Sequence, residues 1–149
     1  MNYKGFDFST LIYGSFGNEI LRNYERQTPL ANMLNYKLAR WTGEGSTNEH
    51  PRLTTGANRN NVISEYYVED GSFVRFRNVQ LGYTIPTRLL EKVKVQRCRV
   101  YVAVNNLLTI TQYRGFDPDL GSFDPLSSGI DFGFYPQARS YMVGLNVGF

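Results

Sequence analysis

The sequence is poor in the residues that usually carry chemistry. Cys98 is the single cysteine, so no disulfide closes within the chain, and it lacks the neighbours of a metal or redox motif. It reads as a small strand residue. His50 is the single histidine and lies in a polar stretch without a nearby Cys or Ser motif, which removes the basis for a catalytic triad or a zinc site and leaves a solvated side chain as the expectation. Gly14-Ser15-Phe16-Gly17 is not a nucleophile elbow, because its first glycine adjoins the serine directly. Neither a phosphate loop nor a dinucleotide fingerprint occurs. No enzyme is expected.

Charge is also scarce. Charged residues make up 19% of the chain and the net charge is only +3, scattered except for the short stretch from Arg88 to Arg99, so nucleic acid is not an expected partner. No apolar run reaches the roughly 18 residues of a membrane helix, whereas a transmembrane barrel strand needs only about 9–11 alternating residues and stays open. Asn2 to Asp7 is polar, with no apolar stretch before a small-residue cleavage site, so nothing near Met1 resembles a signal peptide. Either the protein stays inside the cell or its beginning lies outside this chain.

What the chain does have is 11 Tyr, 10 Phe and 14 Gly, a balance of aromatics and turn formers that favours strands. Tyr141, Val143, Leu145, Val147 and Phe149 alternate with Met142, Gly144, Asn146 and Gly148, a period of two that runs to the last residue. From Ser72 to Pro86, Val79, Leu81, Tyr83 and Ile85 share a face. Val74 and Phe76 fall on the other parity, which implies either a β-bulge near Arg77 or emergence of the strand from a bilayer. From Arg97 to Tyr113, Val100, Val102, Val104, Leu108 and Ile110 keep one parity, interrupted by Asn106. Near the start, Phe6, Phe8, Thr10, Ile12, Gly14 and Phe16 alternate with Asp7, Ser9, Leu11, Tyr13 and Ser15. About four principal strands are expected.

Their connectors run long (Gly17 to Gly71), short (Pro86 to Gln96) and medium (Arg114 to Arg139), the rhythm of extracellular loops set against periplasmic turns in a membrane barrel. The first connector predicts an amphipathic helix from about Asn18 to Ala39, with Ile20, Leu21, Tyr24, Leu30, Met33, Leu34 and Leu38 as its apolar positions and Pro29 breaking it into two. No repeat or linker suggests a domain boundary, so residues 1–149 read as one unit.

A series of short motifs then narrows the reading. In order they are Tyr3-Lys4-Gly5-Phe6-Asp7-Phe8, Trp41-Thr42 followed by Pro51-Arg52-Leu53, and Tyr67-Val68-Glu69-Asp70-Gly71-Ser72-Phe73-Val74-Arg75-Phe76-Arg77-Asn78-Val79-Gln80-Leu81-Gly82-Tyr83-Thr84-Ile85-Pro86. Arg99-Val100-Tyr101, Asn105-Asn106-Leu107-Leu108-Thr109, Tyr113-Arg114-Gly115-Phe116-Asp117-Pro118-Asp119, Tyr135-Pro136-Gln137 and the terminal Gly144-Leu145-Asn146-Val147-Gly148-Phe149 follow. In this order the chain resembles the C-terminal part of the SusC/RagA-type TonB-linked outer-membrane transporters. The resemblance implies an all-β fold: antiparallel C-terminal strands of a plugged barrel of about 22 strands, with long extracellular loops, one holding a short helix. It implies energised import of glycan or peptide oligomers across the cell outer membrane of a Gram-negative bacterium. The implied partners are a SusD-like surface lipoprotein, the TonB complex acting through N-terminal parts, and the barrel-insertion machinery. Signal peptide, plug domain and TonB box are expected to lie outside residues 1–149.

On this reading Val100, Val102, Val104, Tyr141, Val143, Leu145 and Val147 face outer-membrane lipid, and Phe149 closes the strand read by the insertion machinery. Trp41, Phe116, Asp117, Asp119 and Tyr135 are the loop residues that could touch a ligand or the lid. No cofactor is expected. Asp117, Asp119, Asp124 and Asp131 read first as turn formers beside Pro and Gly, with calcium ligation or a glycosidase carboxylate pair as the other readings. The rival folds are a soluble carbohydrate-binding β-sandwich, which would bury the same apolar faces against a second sheet, and a smaller passive porin barrel.

Overall fold

The computed structural model describes residues 1–24, 32–54, 59–60, 62–91, 95–121 and 124–149. The chain opens with β1 (Asn2–Tyr3) and β2 (Phe6–Ser15), joined by the two-residue turn Lys4-Gly5. Both turn residues have positive φ, 48° and 88°, the mirror-image turn whose twist matches that of the flanking strands. Then come β3 (Glu19–Arg22), β4 (Val68–Asp70), β5 (Phe73–Thr84), the one-turn helix α1 (Thr87–Leu90), β6 (Arg97–Thr111), β7 (Ile130–Asp131) and β8 (Ser140–Gly148). The long strands β2, β5, β6 and β8 are the four that the period-two patterns predict.

The five-stranded sheet has the order β1-β2-β5-β6-β8, a meander in which every neighbouring pair is antiparallel. Its register sorts the side chains. Val100, Val102 and Val104 stand opposite Leu145, Val143 and Tyr141 on one side and Tyr83, Leu81 and Val79 on the other, and these in turn oppose Phe6, Phe8 and Thr10. Directly opposed residues share a face, so one apolar face crosses all four long strands. The other face carries Asp7, Gly82, Arg99, Tyr101, Gly144 and Asn146.

The change of parity in β5 is a bulge. Both neighbours of β5 slip register between Phe76 and Asn78; against β2 the extra residue is Arg77, whereas against β6 the single Arg77 faces two residues, and Phe76 and Val74 return to the face of Val79 and Leu81. Opposite it, β6 also departs from the ladder at Asn106 and Leu107, and Asn106 takes a left-handed φ of 52°. The apolar face therefore runs on through Ile12, Phe76 and Leu108 to Val74 and Ile110.

The expected helix between Asn18 and Ala39 is corrected. Glu19–Arg22 is a strand, antiparallel to β4 and parallel to β7, and Ile20 is only 1% exposed. A short apolar run does not distinguish helix from strand by periodicity, and the close approach of Ile20 to Gly71, which a side chain at 71 would block, favours pairing. Further on, Asn35–Ala39 is a 3-10 turn, with Leu38 exposed. Pro29 and Leu30 lie outside the described residues. The buried apolar residues Ile20, Tyr67, Phe73 and Tyr113 gather where the small β4-β3-β7 sheet meets the long one, while the apolar face of the long sheet stays uncovered, with Val143 at 78% exposure. No described helix is long and apolar enough to cross a membrane.

Candidate functional site

The polar face of the long sheet is built from pairs that reach across glycines. Gly82 separates Asp7 on β2 from Arg99 on β6, and the bare backbone lets the guanidinium form a two-pronged ion pair, Nε to Oδ1 at 2.8 Å and Nη2 to Oδ2 at 2.5 Å. A Cβ at Gly82 would collide with both partners. In the same way the Tyr101 ring lies across Gly144 on β8. Higher on this face, Asn78 Nδ2 donates to Asn105 Oδ1 at 2.8 Å and Asn105 Nδ2 to Ser140 Oγ at 3.2 Å, an amide ladder over three strands.

Above the bulge the face becomes ionic. Arg75, 2% exposed, donates from Nε to Thr109 Oγ1 at 2.9 Å, pairs through Nη2 with Asp117, and reaches Asp119 through Nη1 at 3.4 Å. The Tyr13 hydroxyl donates to the same Asp119 carboxylate. Asp117 also accepts the backbone N–H groups of Asp119 and Gln137, at 2.9 and 3.3 Å. The β6–β8 connector is thus fastened to the sheet through one buried arginine.

A second cluster lies under the small sheet. Arg22, its side chain buried, donates to Glu69 Oε1 at 2.5 Å, and its guanidinium carbon stands 5.1, 5.7 and 5.8 Å from the ring centres of Tyr36, Tyr66 and Tyr67. Glu69 Oε2 accepts the Arg114 N–H at 3.0 Å, and the Tyr113 hydroxyl donates to Asp131 Oδ2 at 2.6 Å. Burial, reinforced by the Asp131 carboxylate, pushes the Tyr113 phenol far above its ordinary range. Asp131 Oδ1 takes the N–H groups of Gly133 and Phe134. At Asp70 the Ser72 hydrogen bonds, its N–H at 2.8 Å among them, hold the carboxyl below its usual range.

The residues singled out from sequence are placed as follows. Val100, Val102, Val104, Tyr141, Val143, Leu145 and Val147 lie on the one apolar face. Phe149 lies just beyond β8, 86% exposed. Trp41 borders a cleft with His50, Arg52, Arg59 and Tyr66, Phe116 stacks near Tyr24 at 6.1 Å, and Tyr135 stands free in solvent. Asp117 and Asp119 are drawn together on Arg75, and Asp124 caps a 3-10 turn through the Leu126 N–H at 3.0 Å. Among the described residues no three His, Cys, Asp or Glu side chains are grouped to hold a metal. His50 departs from the solvated expectation: its Nδ1 is 2.9 Å from the Tyr66 hydroxyl and its ring 5.1 Å from that of Tyr36. The alternation patterns give no sign of Arg22, Glu69 or Tyr113 as cluster residues, and Arg75 stands in the sequence only as one position of the Tyr67–Pro86 motif.

No family model matches the chain. Over all of its length it is 36% identical to TonB-dependent receptor P3 of Formosa agariphila and 30% identical to TonB-dependent receptor SusC of Bacteroides thetaiotaomicron, covering 15% and 14% of those proteins. Its fold matches the RagAB peptide transporter with a TM-score of 0.78 at 26% identity, over 99% of this chain and 16% of that one. The chain belongs to the SusC/RagA-type TonB-dependent receptors. It spans about a sixth of the length of these relatives. In a receptor of this type the long sheet is an arc of barrel wall, open at both edges within this chain, with β3, β4 and β7 capping one end.

Proposed function

We propose that these residues form wall and extracellular loops of an outer-membrane transporter that imports an oligomeric nutrient, a glycan or a peptide, energised by TonB and served by a SusD-like lipoprotein. The observation that carries the reading is the two-faced register of the sheet in a chain of this family. An apolar face left uncovered across four long strands suits hydrocarbon outside a barrel, and an opposite face of ion pairs, amides and glycines suits a polar interior. The same uncovered face argues against the sandwich rival, which needs a second sheet on it.

On this proposal Val100, Val102, Val104, Tyr141, Val143, Leu145 and Val147 meet lipid, Phe149 ends the strand offered to the insertion machinery, and Trp41, Phe116 and Tyr135 stand in loops that meet cargo or lid. Asp117 and Asp119 would serve there by setting the loop on Arg75. Deleting the full-length gene and measuring uptake of labelled oligosaccharide and peptide pools tests it. Loss of uptake of one pool, restored by the intact gene and not by one lacking its TonB-interacting part, is expected. Unchanged uptake of both pools sinks the proposal.

A further inference from the structure

The bulge at Arg77 adds one side chain to the polar face, and among the described residues that side chain makes no ion pair. Arg75 holds Asp117 and Asp119, and Arg99 holds Asp7. Arg77 is exposed, its guanidinium carbon lies 5.6 Å from the centre of the Tyr13 ring, and among the described residues no carboxylate stands within ion-pair distance of it. Tyr13 is itself fixed, since its hydroxyl donates to Asp119 and its ring meets Phe73 edge-on at 5.5 Å. The aromatic ring therefore orients the arginine without neutralising it.

An extra residue is an odd place to keep a cation on chance. The bulge interrupts the ladder with both neighbouring strands, and bulges of this kind re-aim side chains beside functional surfaces. A guanidinium offers two parallel N–H donors that match a carboxylate, and an interior with low-dielectric walls strengthens that attraction. We propose that Arg77 is a carboxylate-binding residue of the barrel interior, taking an acid group supplied from outside residues 1–149. The inference rests on the barrel reading above. The acid group comes either from cargo passing the wall or from protein that fills the interior, and the two sources are separable.

The test uses the full-length receptor with its lipoprotein, comparing the native protein with Arg77→Gln and Arg77→Lys. Two matched probe pairs are titrated: trigalacturonate against its methyl ester, and a glutamate-rich hexapeptide against the glutamine version. If cargo supplies the acid, Arg77→Gln weakens the acidic member of a pair by about tenfold or more and leaves the neutral member unchanged. Arg77→Lys then restores only part, because an ammonium cannot grip both oxygens. If interior protein supplies it, Arg77→Gln leaves all four probes unchanged, lowers the melting temperature of the ligand-free receptor, and Arg77→Lys recovers some of that loss. The methyl ester and the glutamine peptide guard against a general defect, and a native receptor that binds a probe without importing it counts against the transport reading alone. Arg77→Gln that matches the native receptor in both probe selectivity and melting temperature overturns the proposal.

Discussion

Single residues decide how the loops are held. Removing the Arg75 guanidinium would leave Asp117 buried and partly unpaired, and breaking a buried ion pair in this way costs about 3–5 kcal/mol. Arg75→Met in the full-length receptor should therefore lower its melting temperature and open residues 114–121 to protease, with Arg75→Lys between the two. Native melting and native protease resistance would show that Asp117 is held by its backbone donors alone. Tyr113 adds a pH dependence of predictable sign. Its phenol is raised in the folded protein from an unfolded value of about 10, so the neutral-form stabilisation is complete below that pH and is lost as pH rises above it. Proteolysis of the capped end should quicken above pH of about 10 in the native receptor and rise less steeply there in Tyr113→Phe. An equal rise in both would assign the effect to other groups.

At the scale of elements, the four long strands were legible because alternation is a local pattern that survives whatever packs against it. The bulge was half legible: the parity switch at Val74 to Val79 was visible, but only pairing with β2 and β6 separates an inserted residue from a strand leaving a bilayer. β3, β4 and β7 were not legible, being two to four residues long and paired between distant parts of the chain, and Ile20 therefore read as one position of a helix. The polar clusters failed for the same reason, since Arg22 finds Glu69 and Arg75 finds Asp117 over separations that no periodicity records. The apolar face itself gives a direct test. Val143→Arg should cost about 2–4 kcal/mol in barrel stability if that position faces mid-bilayer, whereas Asn146→Arg on the opposite face should cost far less. Equal penalties, or rapid labelling of a cysteine at 143 by a water-soluble reagent, would contradict lipid contact.

For the molecule as a whole, the open edges matter most. The outer edge of β8 offers unpaired backbone groups along nine residues, and in hydrocarbon each such group costs several kcal/mol, which is why membrane sheets close on themselves. Residues 1–149 expressed alone should accordingly aggregate or require detergent. A monodisperse monomer in plain buffer with a sharp thermal transition would instead favour a soluble sandwich.

The meander order also sets which contacts can form early. Every long strand pairs with the next long strand in the chain, yet the connector between β2 and β5 spans 57 residues while that between β5 and β6 spans 12. Closing the longer loop costs about 1.4 kcal/mol more in chain entropy, so the β5–β6 hairpin is the pairing that diffusion finds first. Pulsed hydrogen exchange during refolding into detergent should show amides of Phe73–Thr84 and Arg97–Thr111 protected before those of Phe6–Ser15. The short turn at α1 thus makes one hairpin the seed onto which β8 and then β2 are added, and simultaneous protection of all four strands would show that assembly has no such order.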